Sequence, residues 1–171
     1  MLVALKSLLG IAACTSLLIG SAVQTSSAPA LKTNELPADT LIVLQRGACE
    51  HRCAVYKVII FADGSVIFEG RSYVRRSGLV RSNISLEVVR QLLDEAAAMR
   101  FFDLKERFGD GSATGCDSSR SDAPTAIVSV GSAGTSKTVV HDLRCVGAES
   151  ERLRQFEEKI DKAVNAARWI K

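Results

Sequence analysis

At 171 residues, with 47% apolar and 24% charged residues, the chain has the makeup of one globular domain with enough apolar material for a core, which sets a disordered chain aside. Its net charge of +3, from 22 basic and 19 acidic residues, is too small an excess to recommend nucleic acid as a partner.

Lys6 precedes an apolar run from Leu8 to Ile19, followed by small residues at Gly20-Ser21-Ala22 and again at Ala28-Pro29-Ala30. This is the layout of a bacterial-type secretory signal, cleaved after Ala22 or Ala30. Ile11-Ala12-Ala13-Cys14 offers an alternative, a lipoprotein signal that would acylate Cys14, although the apolar run is short before Cys14 and continues beyond it. An uncleaved spanning helix needs ~20 apolar residues, more than this run supplies. Residues 1–30 are thus expected to be signal peptide and leader, 31–40, with Pro37, a flexible lead-in, and 41–171 a single domain. The expected location is periplasmic or secreted, with no transmembrane span in the mature protein.

Leu41 to Gln45 reads as a first strand, ending at Arg46-Gly47-Ala48 before Cys49. Ala54 to Phe61 and Ser65 to Glu69 are rich in Val, Ile, Phe and Tyr and flank Ala62-Asp63-Gly64, so they form a hairpin. A three-residue loop with Gly64 in the left-handed region pairs Ile60 with Val66, whereas a two-residue Asp63-Gly64 turn pairs Ile60 with Ile67. Only the first register gathers Tyr56, Val58, Ile60, Val66 and Phe68 on one face and sets Lys57 against Glu69 as an ion pair on the other. Ile59, Phe61 and Ile67 imply that this other face is partly covered too.

Arg71 to Arg76 is expected to be a fourth strand, turning at Ser77-Gly78 and running on to Arg81. Arg71, Arg75, Arg76 and Arg81 present planar donor forks suited to phosphate or carboxylate; the same charges would keep an exposed edge strand unpaired. Ser85 is an N-cap for a helix in which Leu86, Val89, Leu92, Leu93 and Ala96 recur at helical spacing to about Met99. Phe101, Phe102, Leu104 and Phe108 then plug the seam between helix and sheet.

Gly109 to Asp122 is a Gly, Ser and Asp loop. Its Asp110, Asp117 and Asp122 do not fall at calcium-loop spacing, so no metal is expected there. Thr125 to Val130 and Ser136 to His141 form a second hairpin around Gly131 to Thr135, and a helix from about Glu149 to Ala167 carries Leu153, Phe156, Ile160, Ala163 and Val164 on one face, with Trp169 and Ile170 finishing the chain. The fold class is α+β, a single antiparallel sheet of about six strands in the order ββββαββα with two helices packed on one face.

With Cys14 removed, Cys49, Cys53, Cys116 and Cys145 remain, an even number that reads as disulfides in an oxidising compartment. Spacing favours Cys49 with Cys53, which close a tight loop, and Cys116 with Cys145, near the open end of the second hairpin. A four-cysteine zinc site lacks the usual pair of two-residue spacings.

Only His51 and His141 are present as histidines. His141-Asp142 with Ser118, Ser119 or Ser121 sketches a hydrolase triad, but no Gly-x-Ser-x-Gly elbow supports it. No catalytic residue, cofactor or metal is assigned.

Arg46, Cys49, Cys53, Tyr56, Val58, Ile60, Asp63-Gly64, Val66 and Gly70, then Ser121-Asp122-Ala123-Pro124-Thr125, Lys137-Thr138-Val139, Cys145, Ile160-Asp161 and Trp169-Ile170, form a pattern over residues 41 to 171. It resembles a family of bacterial exported domains of unknown function. Members often carry Cys-x-Gly-x-Cys-Pro-x-Tyr; this chain has His51 at the Gly position and Ala54 at the Pro position. The resemblance implies export and one domain, and no mechanism. The expected function is a disulfide-stapled, monomeric binding module for an envelope component or anionic ligand, through His51, Arg52, Arg71, Arg75, Arg76 and Arg81. A hydrolase using His141 and Asp142, or a purely structural envelope protein, are the alternatives.

Overall fold

The computed structural model describes residues 36–109, 115–118 and 124–171. The leader with Cys14, and Asp110, Ser119, Ser121 and Asp122, lie outside the described residues.

The fold is α+β, with one mixed sheet of seven strands. Its strands are β1 (Leu41–Arg46), β2 (Val55–Phe61), β3 (Ser65–Ser72), β4 (Gly78–Asn83), β5 (Arg107–Phe108), β6 (Thr125–Ser132) and β7 (Thr135–Asp142). The helices are α1 (Leu86–Ala98), α2 (Ala148–Ala163) and α3 (Ala167–Ile170), with a 3-10 turn at Phe101–Asp103. The order across the sheet is β4-β3-β2-β1-β6-β7-β5.

The first hairpin takes the three-residue register: Ile60 faces Val66, Val58 faces Phe68 and Lys57 faces Glu69. Gly64 has φ 79°, and its N–H donates to the Phe61 carbonyl at 3.0 Å, so this position favours a residue without Cβ. The alternation has the expected result: Tyr56, Val58, Ile60, Val66 and Phe68 are all buried. They meet Val89, Leu92 and Ala96 of α1 and Leu153, Phe156 and Ile160 of α2 in one core. Ser85 caps α1 as expected, its hydroxyl accepting from Val88 N–H at 3.3 Å.

Several expectations are corrected. The Lys57–Glu69 ion pair does not form; Glu69 instead takes Arg71 Nε at 3.0 Å. Strand β3 runs on to Ser72 because Val55 still offers it a ladder partner, so residues 73–77 are the turn and the next strand starts only at Gly78. Arg71 thus stands one residue before the end of β3, Arg75 and Arg76 sit in the turn, and only Arg81 lies on β4. The sheet is neither six-stranded nor wholly antiparallel, because Arg107–Phe108 pairs in parallel with Val140 and His141. That strand is held by the fully buried Phe108 ring and by Val140 N–H donating to the Glu106 carbonyl at 2.9 Å.

The second hairpin is tighter than expected. Ser132 pairs with Thr135, and Ala133 (φ 52°) and Gly134 (φ 76°) form a two-residue turn of the mirror-image type that hairpin twist favours. Asp39 closes it from outside, accepting from Ala133 N–H at 3.0 Å and Gly134 N–H at 2.6 Å, which lowers its carboxyl pKa, the Gly134 bond contributing most. The last helix is broken rather than continuous: Asn165 takes a left-handed φ of 52°, as residues just past a helix end often do. The chain turns, and Trp169 folds back to lie 4.7 Å from the Phe68 ring.

Cys49 is bonded to Cys53 and Cys116 to Cys145, the pairings that spacing favours. Among the described residues no helix is long and apolar enough to cross a membrane.

Candidate functional site

Pairing across the sheet aligns Gly78, Gly70, Tyr56, Arg46, Ala126, His141 and Phe108 in one transverse row. Neighbours in such a row point to the same face. Here α2 supplies Ser150, Glu157 and Asp161, polar residues set into the stripe that carries Leu153, Phe156 and Ile160. The outcome is a continuous polar chain inside an apolar core.

Tyr56 Oη donates to Asp161 Oδ1 at 2.8 Å, and Asp161 Oδ2 accepts from Arg46 Nη2 at 2.9 Å and Nε at 3.3 Å. Arg46 Nη1 donates to Glu157 Oε2 at 2.6 Å; Glu157 Oε1 lies 2.7 Å from His141 Nδ1, and His141 Nε2 lies 2.9 Å from Ser150 Oγ. Ser150 Oγ donates to the Cys145 carbonyl at 2.8 Å. A carbonyl can only accept, so the serine proton is committed there and Ser150 Oγ must accept from Nε2–H. Nδ1 and Oε1, at 2.7 Å, then share one further proton.

Burial costs the Arg46 guanidinium its solvation, but Asp161 and Glu157 outweigh that cost and raise its pKa. For Asp161 the loss of solvent is the larger influence and shifts the carboxyl up; Arg46 opposes it. The two shifts disagree on the pair, and the geometry favours an ionised one, since both Asp161 oxygens are reached by donors. Burial, then Asp161, raises the Tyr56 phenol.

Ser150, His141 and Glu157 follow one another in the order of a catalytic triad. They are sealed: all three are 0% exposed. The expected His141-Asp142 pairing is corrected, because Asp142 Oδ1 accepts from Arg144 N–H at 2.8 Å while Glu157 and Ser150 take the ring. Ser118 is exposed and bridged through its backbone to Val146. Among the described residues no cluster of three or more His, Cys, Asp or Glu could hold a metal.

The expected binding residues lie on the surface. His51 and Arg52 are exposed in the loop closed by Cys49 and Cys53, between β1 and β2. The β3–β4 turn, bearing Arg75 and Arg76, lies at the same end of the sheet, since Tyr56 pairs with both Arg46 and Gly70. That turn folds over Gly70, where a Cβ would stand 2.0 Å from the Arg76 carbonyl oxygen, and is tied to α3 by Arg76 N–H donating to the Trp169 carbonyl at 3.0 Å. Arg168, which sequence reading missed, joins this group: its Cζ lies 4.2 Å from the Trp169 ring centroid and its Nη2 donates to Ser82 Oγ at 2.6 Å. Arg71 is bonded to Glu69, but among the described residues no carboxylate lies within ion-pair reach of Arg75, Arg76, Arg81 or Arg168. By contrast, Arg100 and Arg152, also exposed, each have one, Asp103 at 2.9 Å and Glu149 at 3.9 Å, while Arg107 on β5, at the other edge of the sheet, is exposed and has none among the described residues.

The model of a domain of unknown function, DUF6438, matches residues 40–164. The chain belongs to this family. No curated protein matches it. The DUF6438 match contains the whole polar chain from Arg46 to Asp161 together with Arg75, Arg76 and Arg81, and stops short of Arg168. Arg46, Tyr56 and Asp161 of this DUF6438 domain also stand in the sequence pattern, but nothing local to any of them signals that they touch. The one available hint is Glu157, a carboxylate on the apolar stripe of α2, which must have a partner if that stripe is buried.

Proposed function

We propose that this DUF6438 domain is an exported, non-catalytic binding module whose cationic margin, Arg75, Arg76 and Arg81 with Arg168, takes an anionic partner in the bacterial envelope. The observation that carries this reading is that these four arginines, gathered along and beside β4, are exposed and without acidic partners among the described residues, whereas Arg71, Arg100 and Arg152 are paired and the unpaired Arg107 stands apart on β5 at the opposite edge of the sheet. Unpaired guanidinium forks in one neighbourhood are suited to bind carboxylate or phosphate oxygens in pairs. His51 and Arg52 extend the same end of the sheet. Two disulfides support export, since such bonds persist in oxidising compartments. The periplasm or secreted space fits a cleaved leader, and acylation at Cys14 would instead tether the domain to a membrane.

Titration of the isotopically labelled chain with inorganic polyphosphate tests the reading. Amide and guanidinium shifts should gather at Arg75, Arg76, Arg81 and Arg168, and the Arg75→Ser/Arg76→Ser/Arg81→Ser variant should lose them while keeping its stability to within about 0.5 kcal/mol, as surface changes do. Shifts spread evenly over Arg100, Arg152 and the other cations would defeat it.

A further inference from the structure

We infer that the outer edge of β4 receives an extended acidic segment of a partner protein as an added strand, its carboxylates read by Arg81 on one face of the sheet and Arg168 on the other. This rests on the anion-binding reading above and specifies its partner.

Ile84 N–H donates to the Gly64 carbonyl at 2.9 Å, and β4 pairs with β3 without a break, from Ser65 with Asn83 to Gly70 with Gly78. In an antiparallel ladder, bonded and non-bonded pairs alternate. Counting back from Ile84, residues 82, 80 and 78 turn their backbone groups to β3. Leu79, Arg81 and Asn83 therefore point N–H and C=O outward. Strand β4 ends the sheet, and no strand among the described residues lies beyond it. It has no proline and no bulge, so it is a regular template for another strand.

The side chains say which strand. Val80 and Ser82 oppose the buried Phe68 and Val66, so they lie on the helix-covered face, where Arg168 reaches Ser82. Leu79 and Arg81 lie on the open face opposite Glu69 and Ile67, with Leu79 70% exposed. Cations thus flank the edge on both faces. A strand with carboxylates on alternate residues would satisfy one face only; consecutive acidic residues satisfy both. A second copy of this edge is a poor occupant, because antiparallel pairing of β4 with itself brings the Arg81 side chains of the two copies together.

The test uses the full chain and three probes: an extended Glu-rich peptide of about eight residues, near usual strand length, the same peptide with alternate backbone nitrogens methylated, and inorganic polyphosphate. Strand addition predicts that the first peptide binds and slows hydrogen exchange at Leu79, Arg81 and Asn83. Methylation at the nitrogens facing β4 should weaken binding by about tenfold or more, since the lost bonds carry no compensating charge change. Equal binding of both peptides, or binding without protection of those three amides, overturns strand addition and leaves the anion reading standing. Binding of polyphosphate with no binding of either peptide does the same. Failure of all three probes overturns both.

Discussion

The buried chain from Tyr56 to Ser150 and the open margin around β4 use the same residue types to opposite ends. Arg46 and Arg81 are both arginines on strands of the one sheet. Arg46 has Asp161 and Glu157 within 2.9 Å, while Arg81 has no acidic partner among the described residues. Charges placed where water cannot reach them must be paired within the molecule, because an isolated one is too costly to bury. Charges on the surface need no internal partner, so those that lack one remain available to a ligand. Completeness of pairing, rather than the presence of His, Ser and Glu together, is what separates the structural device from the proposed binding surface here.

The sharpest way to break that distinction is to cut the buried chain. Glu157→Ala takes the partner from Arg46 Nη1 and from His141 Nδ1 at once, leaving Arg46 only Asp161, and removal of one partner from such a buried pair costs about 3–5 kcal/mol. The expected outcome in urea unfolding is a loss of that size, with polyphosphate binding retained under conditions where the variant stays folded. A small loss would show that the chain is not the structural pin described, and loss of ligand binding in the folded variant would merge the two regions.

The disulfides sharpen the comparison at a smaller scale. Cys145 anchors the buried chain through its carbonyl, and its bridge to Cys116 spans a sequence separation of 29, against 4 for Cys49–Cys53. On loop-closure entropy the longer bridge contributes roughly 3.5 kcal/mol and the shorter roughly 2. Paired Cys→Ser variants should follow that order in denaturant midpoint; a reversed order would mean that the surface loop, not the core, is where stapling matters.

Asp39 should give the smallest effect and a distinct one. It is exposed yet satisfied, its carboxylate held by the Gly134 and Ala133 amides with its pKa lowered from 3.8. A depressed carboxyl contributes stability that is full above its unfolded pKa and lost as pH falls through the lower folded value. Asp39→Ala should therefore be slightly less stable than the parent above about pH 4, the ordinary carboxylate value, and the difference should shrink as the solution is made more acidic. A gap independent of pH would assign Asp39 a packing role instead.

Much of the fold was legible because it is encoded over short distances. Alternation with Gly64 set the register of the first hairpin, Ser85 marked the start of α1, and cysteine spacing indicated the bridges. The arginines of the candidate site were legible as residue types, and their grouping with Arg168 was not, because α3 arrives there only after Asn165 breaks the last helix.

What the sequence determined by itself is therefore local: strand faces, a helix cap, and the membership of the domain in its family. Tertiary structure alone decided that β5 joins the sheet, since two residues carry no periodicity to read. It also decided which polar residues meet. Arg46 and Glu157 stand 111 positions apart, and a contact over that distance exists only once a row of the sheet and a face of α2 have been laid together. The edge position of β4 among the described residues is a decision of the same kind, since an edge is defined by what does not lie beside it, and no residue within β4 can state that alone.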